Sequence, residues 1–253
     1  MTTLTLDALS VHQGARCLLD QVSLTLTTGR VHALVGPSGA GKSMTAAVLS
    51  GLPLATGLAR RGGEVHGANG TPRLAHVVQN PRTAFNPLMT MRRHGLETLA
   101  ARGIRGCEAE ASLLAALAEV GLETVVAPRY AFELSGGMLQ RMMLALALLQ
   151  GADFLIADEP TSDLDAPAQQ RVLALIERLV KRHDLGVLLI THDLGIVSRY
   201  ADTVQVIDAG RIVESTTPAA LFQAPDSAAA RALLAAHRAL SDVYRARAGV
   251  DEG

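Results

Sequence analysis

The stretch Gly36-Pro37-Ser38-Gly39-Ala40-Gly41-Lys42-Ser43 constrains this chain more than any other feature. It follows the apolar run "VHALV" and leads into a segment with helical character from about Lys42. Short strand, glycine-rich loop and helix, in that order, bring successive backbone N–H groups around an anion. Glycines let the loop wrap phosphate oxygens without Cβ clashes, and the helix start adds its partial positive charge. Lys42 is placed to reach the β- and γ-phosphates of a nucleoside triphosphate, and Ser43 to hold Mg²⁺. A chance glycine turn is the plain alternative, and the flanking strand and helix argue against it.

The rest of the chain alternates strands and helices. "LTLDALSVH" and "VSLTLTTG" switch between apolar and polar residues, as half-exposed antiparallel strands do. "FLIADEP" and "GVLLITHD" are continuous apolar strands ending in polar groups. Between them, "AQQRVLALIERLVKRH" sets Val172, Leu175, Ile176 and Leu179 on one helical face, and "TVQVIDAGRIVES" predicts a hairpin around Ala209-Gly210. From Leu96 to Leu149 the pattern is helical. The expected class is α/β: a P-loop NTPase core with a mostly parallel sheet, an N-terminal antiparallel β lobe and an inserted α-helical lobe. The helical lobe is expected at roughly 85–150 and a C-terminal tail from about 216, within one domain spanning 1–253.

Hydrophobic residues make up 49% of the chain and mean hydropathy is +0.24, which raises the question of a membrane span. The most apolar run, Met142 to Leu149, stops at Gln150, well short of the ~20 residues a span needs. The N-terminus "MTTLTLDALS" has neither the basic start nor the apolar block of a signal peptide, so a cytosolic chain is expected. A formal charge of −1, from 23 basic and 24 acidic residues, advertises no nucleic-acid partner. The two cysteines lie far apart and the eight histidines are scattered, which predicts reduced thiols and no metal site of the chain's own.

Further polar groups sit at strand ends. Asp158 suits Mg²⁺, usually through water, and Glu159 suits a general base acting on an attacking water; a solvated acidic turn is the alternative. His192 is placed for a γ-phosphate or is an ordinary core histidine. Gln79 either ligates Mg²⁺ or its water, or merely ends a strand. Ser162-Asp163-Leu164-Asp165 is by itself a common helix cap. Ser135, Gly136 and Gly137 open an apolar helix, a second phosphate-grade helix start in one chain.

In this order, and over nearly the whole chain, these motifs resemble the ATP-binding subunits of ABC transporters. The resemblance implies a Walker A loop at Gly36, Pro37, Ser38, Gly39, Ala40, Gly41, Lys42 and Ser43, a Q-loop Gln79 and a signature at Leu134–Met138. It further implies a Walker B Asp158, a catalytic Glu159, a D-loop at Ser162–Asp165 and a switch His192. ATP is the implied ligand, with Ser43, Gln79 and Asp158 around Mg²⁺. The implied partners are a second ATPase subunit, for which a distinct paralogue is favoured, two membrane-spanning permease subunits and a solute-binding capture protein. The two ATPase subunits pair head to tail, each signature capping the ATP held by the other's loop, at the cytoplasmic face of the inner (plasma) membrane.

Finer features narrow the group. "NPRTAFNPLMT" resembles the peptide and nickel importers, and "YAFELSGGMLQRMMLALAL" is most similar to the nickel-import subunit among them. The implied cargo is nickel or a nickel chelate, with a di- or oligopeptide as the alternative. Asp226-Ser227-Ala228-Ala229 replaces the His-Pro-Tyr-Thr usual in that group, and the cysteine-bearing extension of the longer peptide-importer subunits is absent; both departures weaken the peptide reading more than the nickel one. A soluble DNA-repair or translation ATPase of the same signature would show a long coiled-coil insertion or paired nucleotide domains, and an inactive regulatory partner would not keep Glu159 and His192. The family stacks adenine on an N-terminal aromatic, yet no Phe, Tyr or Trp precedes Phe85, so His12 or Gln13 stands near that position and weaker base selectivity is expected. Phe85 itself has two readings, an exposed anchor for a membrane-subunit helix or packing within the helical lobe.

Overall fold

The two alternating stretches form β1 (Thr3–Gln13) and β2 (Arg16–Thr27) in a computed structural model, which describes residues 1–67, 70 and 72–248. Next come β3 (Val31–Val35), α1 (Lys42–Leu49), β4 (Leu58–Arg61), β5 (Glu64–Gly67) and β6 (Leu74–Val77). Three helices follow, α2 (Met91–Ala101), α3 (Gly106–Glu119) and α4 (Gly136–Gln150). After them run β7 (Phe154–Asp158), α5 (Ala166–His183), β8 (Gly186–Ile190) and α6 (Leu194–Tyr200). The chain closes with β9 (Thr203–Asp208), β10 (Arg211–Thr216), α7 (Pro218–Gln223) and α8 (Ala228–Ala248). The chain divides into two compact units, neither contiguous in sequence: Met1–Leu4, Leu26–Arg30 and His66–Leu188 form one, and Thr5–Thr25, Val31–Val65 and Leu189–Gly253 the other.

In the second unit β1 lies between β2 and β4, and β5 also pairs with β1, which makes the antiparallel lobe that the alternating pattern predicts. Next to it β9 joins β10 antiparallel and β3 parallel. All of β3 is buried, its four apolar residues and also His32, whose Nδ1 shares a hydrogen bond with the Thr203 hydroxyl at 2.8 Å. The β9–β10 hairpin turns at Ala209 (φ 44°) and Gly210 (φ 79°), the positive-φ pair that a two-residue hairpin demands. The C-terminal tail packs on this sheet: Leu221, Ala230 and Leu234 are buried with Val35, Val204, Val206 and Val197 in one core.

In the first unit β7 lies between β6 and β8, with β6 and β7 parallel and in the register His76↔Ile156. Residues Phe154 to Ala157 are fully buried, and the α5 residues Val172, Leu175, Ile176 and Leu179 are buried nearly as deeply. The first helix of this region, α2, begins at Met91, ahead of the helical pattern read from Leu96. Thr90 caps it by accepting the Arg93 N–H, and the Met91 and Arg92 amides donate to the Arg129 and Ala127 carbonyls. A cap and a docked loop replace the apolar periodicity that the first turn lacks. Phe85 is buried, 4% exposed, edge-to-face with His94 at 5.2 Å, which overturns the anchor reading: it packs. The most exposed large apolar side chains of this region are Leu88, at 83%, and Phe132, at 66%, the latter stacked on Tyr130.

Candidate functional site

The loop Gly36–Gly41 is shaped by what lies beneath it. A Cβ on Gly36 would overlap the Ile207 carbonyl, and one on Gly41 (φ 108°) would overlap Leu19, so neither position accepts a side chain. The hairpin turn fixes the loop from below, with the Gly210 N–H donating to the Ala40 carbonyl at 3.1 Å. Gly41 is the N-cap of α1 and offers no side-chain cap, which leaves first-turn N–H groups facing outward. Lys42 is buried at 8% exposure, and its Nζ donates to the Gly36 and Pro37 carbonyls at 2.8 and 2.9 Å. These bonds hold the ammonium over the loop. Ser43, in the first turn of α1, is exposed beside it. Cradle, uncapped amides, cation and hydroxyl together fit a Mg²⁺-bound triphosphate. In the same unit His192 is exposed on the loop before α6, whose N-cap Asp193 accepts the Gly195 and Ile196 N–H groups.

In the other unit Asp158 ends β7 and Glu159 begins the turn after it, both half-buried. The Glu159 backbone is left-handed at φ 44°, a region that disfavours side chains. Gln79 is exposed on the bend that follows β6. One neighbour escapes sequence reasoning: His76 stands beside Ile156, so the period-2 alternation of strands puts it on the face that carries Asp158. Both ring nitrogens of His76 are buried without a hydrogen-bond partner. Burial lowers its pKa, and the Asp158 charge opposes that shift.

Ser135 is the N-cap of α4, its hydroxyl accepting the Met138 N–H at 3.3 Å. Gly136 and Gly137 occupy the first turn and line a cavity of about 290 Å³ with Ser135, Asp163, Leu164 and Asp165, so the signature and D-loop segments share one surface. Two arginines invisible as a pair in the sequence, Arg141 and Arg171, line it too. Burial, then the Arg171 charge, lowers the Arg141 pKa. The Arg141 guanidinium reaches the Gly137 and Gly121 carbonyls and braces the start of α4. Asp165 caps α5 through the Ala168 N–H, as its position in the sequence suggests. At the other end of the chain, His12 is half-buried on β1 with an unpartnered Nδ1, and Gln13 is exposed at the strand end.

Residues 19–162 match the ABC transporter family. The nickel import ATP-binding protein NikD of Rhodospirillum rubrum is 49% identical, covering 94% of each chain. Its namesake in Pseudomonas putida is 48% identical, covering 94% of this chain and 97% of its own. The NikD of Brucella abortus is 46% identical over 89% of each. Among solved structures, an ATP-binding subunit of an ABC transporter superposes with a TM-score of 0.75 at 26% identity, covering 93% of this chain and 99% of its own. A dimeric ATP-binding cassette with ADP and phosphate gives 0.71 at 23%, over 85% and 98%.

Proposed function

The chain belongs to the ABC transporter family as an ATP-binding subunit, and from that premise we propose that it hydrolyses ATP to drive nickel, or a nickel chelate, through a membrane importer. The observation that carries the cargo is the 46–49% identity, over nearly the whole chain, to proteins named for nickel import. Among the described residues no helix is long and apolar enough to cross a membrane. We assign the chain to the cytoplasmic face of the inner membrane, with two permease subunits, a capture protein and a second, distinct ATPase subunit.

In this reading the Gly36–Ser43 loop binds the triphosphate through its amides, and Lys42 exchanges its bonds to loop carbonyls for the β- and γ-phosphates. Ser43, Asp158 and Gln79 would hold Mg²⁺, which would supply charge neutralisation for the phosphate oxygens. Glu159 accepts a proton from water; the resulting hydroxide attacks the γ-phosphorus, and the bond to the β-phosphate oxygen breaks to give ADP and phosphate. His192 contacts the γ-phosphate. Ser135, Gly136 and Gly137 present amides to the nucleotide of the second subunit, the service that an uncluttered helix start best provides.

Deleting the chain from its host tests the cargo. Nickel accumulation should fall while dipeptide uptake holds, with recovery by the wild-type chain and none by Glu159→Gln, whose amide accepts no proton from water. Loss of dipeptide uptake with nickel unaffected would assign the peptide cargo instead.

A further inference from the structure

Gln140 lies one helical turn beyond Gly136 and Gly137 in α4 and is buried, 2% exposed. Its Nε2 donates to the Pro160 carbonyl, while its Oε1 is buried with no hydrogen-bond partner. A half-satisfied buried amide carries a desolvation penalty that an apolar side chain avoids. What the amide secures is the turn that holds Glu159.

Glu159 is left-handed, and the Pro160 ring disfavours the right-handed helical region for the residue before it. The turn therefore depends on restraints on either side of the proline. Ser162 supplies one, its N–H and hydroxyl donating to the Glu159 carbonyl at 3.3 and 3.2 Å. Gln140 supplies the other at Pro160, which has no N–H of its own to anchor. We propose that Gln140 is a positioning residue for the general base: by fixing the Pro160 carbonyl it sets the aim of the Glu159 carboxylate from the helix that opens with Ser135, Gly136 and Gly137. The proposal rests on the reading of Glu159 as base. Gln140 takes no proton. With Pro160 released, the Glu159 backbone relaxes toward extended geometry and the carboxylate leaves its line to the water.

Gln140→Met keeps the length of the side chain and removes the donor. It also removes the orphaned Oε1 while orphaning the Pro160 carbonyl, so the melting temperature should stay close to wild type. In the assembled importer, kcat should fall at least about tenfold, about 1.4 kcal/mol of transition-state stabilisation, with KM for ATP within about twofold. Ser162→Ala, which loosens the other restraint, should lower kcat in the same sense. Unchanged kcat in Gln140→Met overturns the proposal, as does a kcat that falls only together with melting temperature and ATP affinity. If Gln140→Met fails to fold, unchanged kcat in Ser162→Ala overturns it. Glu159→Gln chains with and without Gln140→Met should pair equally in ATP by size exclusion; loss of pairing would give Gln140 to the signature instead of the base. Turnover surviving in Glu159→Gln would remove the base assignment itself, whereas an inactive Glu159→Gln beside a fully active Gln140→Met defeats this inference alone.

Discussion

Gly137→Ala separates what this chain needs for itself from what it offers a partner. Gly137 lies in the first turn of α4, outside the left-handed region, and the nearest atom to an added Cβ is the Ala168 Cβ at 3.8 Å, ordinary van der Waals contact. Nothing within the chain demands a glycine there. Glycine is in fact the worse choice for a helix, by roughly 0.5–1 kcal/mol relative to alanine. For a chain of this size each kcal/mol shifts the melting temperature by about 2–4 °C, so the isolated Gly137→Ala chain should melt about 1–4 °C higher. On the proposal that this surface faces the second subunit's γ-phosphate, an added methyl group pushes that phosphate off the amides. Hydrolysis should therefore fall while ATP binding by the isolated chain stays unchanged. Differential scanning fluorimetry, ATP titration of the purified chain and phosphate release by the assembled importer read the three quantities. A Gly137→Ala chain that melts lower, or an importer that hydrolyses ATP at the wild-type rate, refutes the reasoning.

Two further outcomes follow from particular side chains. Phe85→Ala should destabilise the helical lobe by about 3–5 kcal/mol, the range for truncating a buried phenylalanine, read as a lower melting temperature; a stable variant that loses only transport would restore the anchor reading. The purified chain should discriminate weakly between ATP and GTP, and Gln13→Tyr should sharpen the preference, since aromatic stacking on a base is worth ~1–3 kcal/mol in nucleic-acid sites. A strong ATP preference in the wild type that Gln13→Tyr leaves unchanged would show that other contacts read adenine.

The sequence is most legible where one residue type has one physical reason. The buried strands read directly, because a strand covered on both faces is largely apolar, as Gly186–Ile190 is throughout and Val31–Val35 is at every position but His32. The hairpin at Ala209-Gly210 reads from its turn chemistry, and the loop from its glycines. That Gly36 and Gly41 are steric necessities over Ile207 and Leu19 is not legible, since those contacts link residues far apart in sequence. The start of α2 is missed for a related reason: its first turn is held by Thr90 and by carbonyls near Arg129 instead of by an apolar stripe. Phe85 cannot be settled from a lone aromatic before an Asn-Pro pair. His76 and Gln140 give no signal at all, because a polar residue in an apolar stretch shows neither its burial nor its partner.

The α4 helix brings one feature that the sequence announces and one that it hides into a single argument. Its first turn carries glycines that the fold does not require, and its next turn carries an amide that the fold only half satisfies. Each is a poor local choice for stability, and each becomes reasonable if the helix is a lever with a nucleotide at its tip and the Glu159 turn at its side. A helix transmits a displacement of its first turn to the next with little loss, because successive turns share backbone hydrogen bonds. On that proposal, a phosphate seated on the Gly136 and Gly137 amides would act on the Pro160 carbonyl through Gln140. Hydrolysis by the proposed base Glu159 would then depend on the nucleotide held by the other subunit. An importer gains from that dependence, since two ATP molecules are committed only when the subunits have closed on both.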